Sequence, residues 1–185
     1  MLATPNPPRL TAQEYLAWES QQEHRHELAD GIPIAMTGGS LAHNDLAIRL
    51  LGYLLPHIKN CRINLADAKL QINDTTYRYP DLMVSCDDRD RTATDALRHP
   101  KLIVEVLSPG TAARDRGEKL HEYRSIASLQ EYLLIETQQI LVEIYRRGAG
   151  RFWLYDTYTS GETLHLDSLD LDLVIDDLYS NIAIS

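Results

Sequence analysis

The strongest strand signal in the chain is the run at residues 102–107, Leu-Ile-Val-Glu-Val-Leu. Side chains alternate between the two faces of a strand, so Ile103 and Leu107 share a face with Glu105, and the opposite face is wholly apolar. A strand that is apolar on both faces is typical of the buried centre of a sheet. The run therefore predicts a central strand, covered on both sides, in an α/β protein.

Glu105 is the one charged residue in this run. A carboxylate buried without a partner costs several kcal/mol. The side chain must therefore pair with a cation, hold a proton, or lie where the sheet opens to solvent. This makes Glu105 the first candidate for a functional residue.

The segments around this strand predict a mixed sheet with helices packed on its faces. Thr11 and Glu14 are spaced as a capping box for a short helix, and Asp30-Gly31 indicates a hairpin. Helices are also predicted at about 41–55 and 112–127, strands at 62–65, 69–72, 79–84 and 131–136, an exposed loop at 85–99, and hairpins from residue 140 onward. The strand–helix–strand run from 102 to 136 predicts a βαβ-like unit.

A chain of 185 residues is expected to form one domain. We expect residues 1–10, which are rich in proline, to be a flexible arm and residues 11–185 to be the domain. No apolar run approaches the roughly 18 residues of a membrane span, and the N-terminus lacks a secretory signal, so no membrane partner is expected. Cys61 and Cys86 are expected to be reduced thiols in a cytoplasmic protein.

The formal net charge is −9, which by itself argues against a polyanionic partner. The acidity is concentrated at the C-terminal end, because no Lys or Arg follows Arg151. Residues 1–151 contain all 18 basic residues and 20 of the 27 acidic ones. This near-neutral part can bind nucleic acid if its basic groups are gathered on one face.

Asp81 poses the same question as Glu105, one strand earlier. It follows Pro80, and a proline in a strand implies an edge, a strand start or a bulge. If the two strands are neighbours, the carboxylates of Asp81 and Glu105 can lie a few Å apart. Such a pair repels, and a hard divalent cation such as Mg²⁺ removes the repulsion. The metal polarises a phosphate and lowers the pKa of a bound water, as a phosphodiesterase requires.

The helix after Glu105 carries Asp115, Lys119 and Tyr123 at four-residue spacing, along one stripe beside its apolar face. An ammonium at the edge of that face can reach a site at Glu105 and stabilise charge on a phosphate. The alternative is an Asp115–Lys119 pair at the surface, which contributes a few tenths of a kcal/mol. Spacing alone leaves both interpretations open.

An ordered set of motifs runs along the chain. It comprises Glu27 to Gly31, His43, Tyr79-Pro-Asp-Leu82, Val104-Glu-Val-Leu-Ser-Pro109, Asp115 to Lys119, Tyr123 and Glu131-Tyr-Leu. In this order they resemble the Uma2 (DUF820) family of restriction-type endonucleases, within the PD-(D/E)XK nuclease superfamily. The resemblance extends over about residues 10–155.

This resemblance implies a restriction-endonuclease-like core with additional β-hairpins. It also implies a metal-dependent endonuclease that hydrolyses nucleic acid, with DNA as the expected substrate. Asp81, Glu105 and the backbone carbonyl of Val106 are then expected to hold Mg²⁺ or Mn²⁺. Lys119 is expected to be the catalytic lysine, although the superfamily places its lysine two residues after the glutamate, where this chain has Leu107.

The resemblance adds His43 and Glu27 as further candidates for the catalytic site. A structural histidine is the alternative for His43, and a plain charge at a strand end is the alternative for Glu27. A homodimer is expected from the resemblance and from the edge-type strands of the C-terminal third. Two other functions stay open: a nuclease fold that binds without turnover, and a hydrolase of another phosphate ester.

Overall fold

The centre of the structure, a computed structural model that describes residues 9–184, is a six-stranded mixed sheet. The helices are α1 (Ala12–Glu19), α2 (Leu41–Leu54), α3 (Asp88–Arg91), α4 (Ala112–Arg114), α5 (Leu120–Arg124) and α6 (Ile175–Tyr179), and a π-helical turn (Asp115–Lys119) joins α4 to α5. The strands are β1 (His26–Ala29), β2 (Ile32–Ala35), β3 (Arg62–Leu65), β4 (Leu70–Asn73), β5 (Thr76–Arg78), β6 (Leu82–Ser85), β7 (Leu102–Val106), β8 (Glu131–Ile135), β9 (Val142–Arg147), β10 (Trp153–Tyr158), β11 (Thr163–Leu166) and β12 (Leu171–Val174).

The central sheet has the strand order β10-β9-β8-β7-β6-β3. β7 and β8 run parallel, whereas the other neighbours are antiparallel. Parallel strands need a crossover connection, which the helical residues 112–124 supply here. A four-stranded sheet, β2-β1-β5-β4, and the β11–β12 hairpin complete the fold. The predicted mixed α/β architecture and its βαβ-like unit are confirmed.

β7 is buried along its whole length. Leu102 and Val104 belong to an apolar cluster on one face of the sheet, and Ile103 belongs to a second cluster on the other face. Each fully buried aliphatic side chain contributes roughly 1.5–3 kcal/mol. The prediction of a central strand covered on both sides is confirmed.

α2 begins where the sequence predicts, because the Ser40 hydroxyl accepts a hydrogen bond from the His43 amide at 3.2 Å. Leu46, Leu50 and Leu54 recur at four-residue spacing and are fully buried. They share the apolar cluster that covers one face of β7. This packing fixes the direction of α2 and, with it, the position of His43 in the first turn.

The β1–β2 hairpin is also confirmed. Asp30 and Gly31 take φ angles of 46° and 81°, as a two-residue hairpin turn requires. β1 pairs on its other side with β5, which places Glu27 beside Arg78. The hairpin thus brings an acidic side chain from the N-terminal region to the middle of the molecule.

The predicted strand at 79–84 is wrong in its first half. β5 ends at Arg78 in the four-stranded sheet, and β6 begins at Leu82 in the central sheet. Residues 79–81 connect the two sheets, because Pro80 has no amide hydrogen to donate to a strand ladder. Asp81 therefore lies at the start of a strand rather than inside one.

The predicted exposed loop at 85–99 is wrong at its centre. Asp87 caps the short helix α3, and Asp90 within that helix is only 2 % exposed. The Asp90 carboxylate accepts hydrogen bonds from the Ser85 hydroxyl at 2.7 Å and from the His99 amide at 2.8 Å. A charged segment that looks like a solvated loop therefore folds around a buried acid.

The expectation of two reduced thiols is wrong, because Cys61 and Cys86 form a disulfide. Arg62 on β3 lies opposite Ser85 on β6, so the cysteines face each other just beyond the strand ends, with Cα atoms 4.1 Å apart. Strand register decides this pairing, and it is not readable from cysteine spacing. Disulfides persist mainly in oxidising compartments, so the bond gives no support to a cytoplasmic location, which stays a prediction.

Residues 1–8 of the predicted N-terminal arm lie outside the described residues. Arg9 and Leu10 contact the β1–β2 hairpin, where the Leu10 amide donates to the Gly31 carbonyl at 2.7 Å. No helix between residues 9 and 184 combines the length and the apolar character needed to cross a bilayer.

Candidate active site

A cleft of about 300 Å³ lies beside the start of β6 and the end of β7. The β1–β2 hairpin and the residues before α2 form one wall, and residues 108–119 form the other. Its polar lining is Glu27, Thr37, His43, Tyr79, Asp81, Glu105, Ser108, Thr111, Arg114, Asp115 and Lys119, and Val106 also lines it. The structure therefore brings together, around one cavity, all six residues that the sequence predicts for the site.

Glu105 combines two of the three options that the sequence left open: it pairs with a cation, and its raised pKa lets it hold a proton. Its Oε1 atom accepts hydrogen bonds from Lys119 Nζ at 2.9 Å and from the Tyr123 hydroxyl at 2.7 Å. Burial raises the pKa of Glu105 to about 8; Lys119 opposes the rise, and neighbouring carboxylates add to it. Below about pH 8 the side chain thus tends to keep a proton, which a bound cation would displace.

Lys119 reaches Glu105 because a π-helical turn precedes the α-helical turn of α5. Four residues overshoot one α turn, which takes about 3.6 residues. The same four residues undershoot a π turn, whose hydrogen bonds close one residue later. The two offsets have opposite signs, so Asp115, Lys119 and Tyr123 stay in line along the segment. This alignment lets Lys119 and Tyr123 both donate to one carboxylate oxygen.

The Lys119 ammonium is surrounded by acids. Its Nζ atom lies 2.9 Å from Glu105, 3.1 Å from Asp115 and 3.5 Å from Glu27. Burial favours the neutral amine, but these carboxylates outweigh it and raise the pKa of Lys119. Lys119 therefore stays charged and acts as a fixed cation, and the interpretation as an exposed surface pair with Asp115 is wrong.

Asp81 is held by two donors from different elements. The Val106 amide donates to Oδ2 at 2.7 Å, and His43 Nε2 lies 3.1 Å from the same oxygen. The hydrogen bond with Asp81 raises the pKa of His43. His43, whose side chain is 19% exposed, thus orients the Asp81 carboxylate at the wall of the cleft.

Glu27 belongs to an ion network centred on Arg78, which is fully buried. Arg78 donates to Glu27 at 2.9 Å, to Glu118 at 2.6 Å and to Glu122 at 2.7 Å. Burial alone would raise the pKa of Glu27, but Lys119 and Arg78 outweigh it and lower that pKa. The network joins β1 and β5 to the helical segment that carries Lys119.

The charge balance of the cleft suits a divalent cation. Four carboxylates (Glu27, Asp81, Glu105 and Asp115) face two permanent cations (Arg114 and Lys119), which leaves a net charge of −2 when Glu105 is ionised and His43 is neutral. The Asp115 Oδ1 atom is buried and lacks a hydrogen-bond donor with suitable geometry among the described residues, although Lys119 lies 3.1 Å away. Carboxylate oxygens with unused lone pairs are the ligands that Mg²⁺ prefers.

Residues 9–184 contain no ready-made cluster of three or more His, Cys, Asp or Glu side chains around a metal position. The predicted set requires only two such side chains, Asp81 and Glu105, together with a carbonyl oxygen. Val106 supplies its amide to Asp81, so the backbone of β7 already connects the two acids. The residues present therefore fit a divalent ion by charge and by ligand type.

The sequence alone did not assign roles to several residues of the site. Tyr123 stood in the helical stripe, and its bond to Glu105 follows from the π-helical turn, which has no simple sequence signal. Arg78 looks like an ordinary strand residue, yet it organises three acids. Arg114 lines the cleft, and its helical position alone gave no reason to single it out.

A family model and two relatives match most of the chain. The family model Uma2, described as "Putative restriction endonuclease", matches residues 12–177. Uncharacterized protein slr1290 of Synechocystis sp. is 38% identical over 179 residues, which cover 95% of this chain and 94% of that protein. Uncharacterized protein sll1609 of the same organism is 37% identical over 163 residues, which cover 85% and 92%.

A similar fold is present in the crystal structure of a "putative nuclease belonging to DUF820" from Anabaena variabilis ATCC 29413. The TM-score is 0.75 at 20% sequence identity, over 92% of this chain and 98% of that one. At this identity the likeness shows the fold alone. The family model and the two relatives carry the assignment, and they establish that the chain belongs to the Uma2 family.

Proposed function

We propose that the protein is a metal-dependent nuclease that hydrolyses phosphodiester bonds of nucleic acid, with DNA as the expected substrate. The observation that carries the proposal is the cleft in which Asp81, Glu105 and Lys119 meet with a net negative charge. Membership of the Uma2 family, described as "Putative restriction endonuclease", supports the reaction class.

Asp81, Glu105 and the Val106 carbonyl would hold Mg²⁺ or Mn²⁺, which when bound supplies a Lewis acid and an acidified water. Lys119 would offer a fixed positive charge to the phosphate, because its own proton is retained by the surrounding acids. Tyr123 and His43 would hold the two acids in place through their hydrogen bonds.

A cleavage assay tests this proposal. Purified protein is incubated with supercoiled plasmid and with labelled oligonucleotides in Mg²⁺ or Mn²⁺. We expect cleavage by the wild-type protein and its loss in Asp81→Asn and in Glu105→Gln, while Glu23→Gln, an exposed acid outside the cleft, keeps full activity. Cleavage by both cleft variants at the wild-type rate would refute the assignment.

A second candidate is a nucleic-acid-binding module without turnover. It is favoured by the position two residues after Glu105, where Leu107 is buried and no lysine is available. Such a module would bind metal and DNA in the same cleft and leave both intact. The cleavage assay, combined with a binding measurement, separates the two functions. Bis(p-nitrophenyl) phosphate in parallel would reveal a hydrolase of other phosphate esters.

The proposal includes a homodimer. β10 is an edge strand of the central sheet, and its Leu154 and Tyr155 side chains are 64% and 54% exposed. An exposed apolar edge strand usually requires a cover. Sedimentation equilibrium of the wild-type protein should give twice the chain mass, and Leu154→Glu should shift it to the monomer. A wild-type monomer at all concentrations would contradict the dimer.

A further inference from the structure

The cationic side chains in and beside the cleft differ in how much of their binding capacity is already used. Lys119 lies within 3.5 Å of three carboxylates. Arg78, just behind the cleft, is fully buried and bonded to three carboxylates, one of which, Glu27, it shares with Lys119. The charge of Lys119 can act on a nearby phosphate, but the hydrogen-bond donors of both groups face the protein's own acids. If either group turned a donor toward a ligand, a buried carboxylate would lose its partner.

Arg114 is different. Its side chain is 40% exposed, and its contact with an acid in the described part of the chain is a distant one, 4.0 Å from Glu27. Its guanidinium donates no hydrogen bond within residues 9–184, yet it lines the cleft beside Thr111 and Ser108. The hydroxyls of those two residues lie 3.0 Å apart, so one of the pair keeps a proton to donate outward.

A cleft with a net negative charge repels a polyanion, so a substrate phosphate needs a cation whose donors are not already occupied. A guanidinium presents a planar fork of donors that matches the oxygens of a phosphate. We infer that Arg114 is a phosphate-contacting residue of the cleft, which binds a backbone phosphate of the nucleic acid. This inference rests on the proposed function and adds the group that holds the substrate.

The test measures DNA binding rather than turnover. Anisotropy of a labelled duplex is recorded in Ca²⁺ at several salt concentrations, with a gel to verify that the duplex stays intact. For Arg114→Gln we expect a roughly tenfold loss of affinity and a salt slope reduced by about one phosphate contact. Arg114→Lys should keep the slope and lose part of the affinity, because an ammonium lacks the planar fork.

Arg91→Gln is the matched control, because Arg91 is 53% exposed and lies in α3, beyond the end of β6 that is remote from Asp81. Its affinity and salt slope should equal those of the wild-type protein. If the wild-type protein binds or cleaves DNA and Arg114→Gln and Arg114→Lys behave like the control, this inference alone is overturned. If the wild-type protein neither binds nor cleaves DNA, the proposed function and this inference both fail. Thermal unfolding of each variant verifies that it is folded.

Discussion

The Nζ atom of Lys119 lies 2.9 Å from Oε1 of Glu105, although the two residues are 14 positions apart and on different elements. Strand alternation would put a lysine at position 107 on the same face as Glu105. Leu107 occupies that position and is 1% exposed within an apolar cluster. The helix after β7 thus delivers the positive charge that the strand itself does not carry.

Lys119→Met should tighten the binding of a divalent cation and abolish cleavage. The ammonium lies among the acids that a metal ion would share, so it repels the ion, and its removal lowers the cost of bringing a second positive charge there. We expect Mn²⁺ affinity to rise at least about tenfold at pH 8.5, as measured by calorimetry.

Lys69→Met is the matched control for this experiment, because Lys69 pairs with Glu19 outside the cleft. Its Mn²⁺ affinity should equal that of the wild-type protein. Weaker metal binding by Lys119→Met would show that the lysine organises the metal ligands instead of competing with the ion.

Metal affinity should rise with pH up to about 8. Burial raises the pKa of Glu105 to about 8, so below that pH the folded protein retains a proton that a metal ion must displace. A raised carboxyl pKa favours the bound proton over the metal ion at lower pH, so the metal affinity increases as the pH rises. Calorimetry at pH 7 in two buffers of different ionisation enthalpy should reveal proton release on Mn²⁺ binding. Binding heats that do not depend on the buffer would contradict the raised pKa.

Arg78→Gln should destabilise the protein strongly. The substitution leaves Glu27, which is buried, and Glu122, which is partly buried, without their common cation. Breaking a buried ion pair on one side costs roughly 3–5 kcal/mol, and urea unfolding measures the loss. Glu118→Gln should cost less than about 1 kcal/mol, because that partner is 48% exposed. A similar, small loss in both variants would mean that the Arg78 network does not stabilise the fold.

Asp90→Asn should lower the free energy of unfolding by roughly 2–3 kcal/mol at pH 7, because an amide nitrogen replaces an acceptor that binds several donors. Burial pushes the pKa of Asp90 upward, but hydrogen bonds from Ser85 and His99 outweigh it and lower the pKa. A lowered carboxyl pKa stabilises the folded protein at pH values above the pKa of the unfolded chain. This stabilisation is lost as the pH falls through the pKa of the folded state.

The difference between wild-type and Asp90→Asn should therefore shrink in acid, as denaturant titrations between pH 7 and pH 3 can show. The exposed neighbour serves as control, since Asp88 is 87% exposed and Asp88→Asn should stay within about 0.5 kcal/mol of wild-type. A difference that stays constant with pH would indicate that Asp90 contributes through packing and not through its charge.

The elements that the sequence predicted well are those with a local signal. The central strand, the capped helix α2 and the Asp30-Gly31 hairpin follow from alternation, capping and turn chemistry within a few residues. α6 escaped prediction because its five residues, which begin at Ile175, are too few to establish a helical period. The segment at 79–81 escaped because the switch between two sheets depends on partners elsewhere in the chain.

The sequence predicted the acidic residues of the site, but it did not predict the residues that hold them in place. Glu105 stood out because a charge in an apolar strand demands a reason. The bonds from Arg78 to three acids depend on strand register and on long-range packing. The same is true of the Cys61–Cys86 disulfide, which lies outside the site. No single-sequence pattern encodes these relationships.

The most direct test of the account is a calorimetric Mn²⁺ titration at pH 8.5 of the wild-type protein, Asp81→Asn and Glu105→Gln. Glu23→Gln serves as the exposed control. We expect the wild-type protein and the control to bind Mn²⁺, and both cleft variants to lose this binding. Binding that survives in Asp81→Asn and Glu105→Gln, or a wild-type protein that binds no ion, would contradict the claim that these two acids form a metal centre.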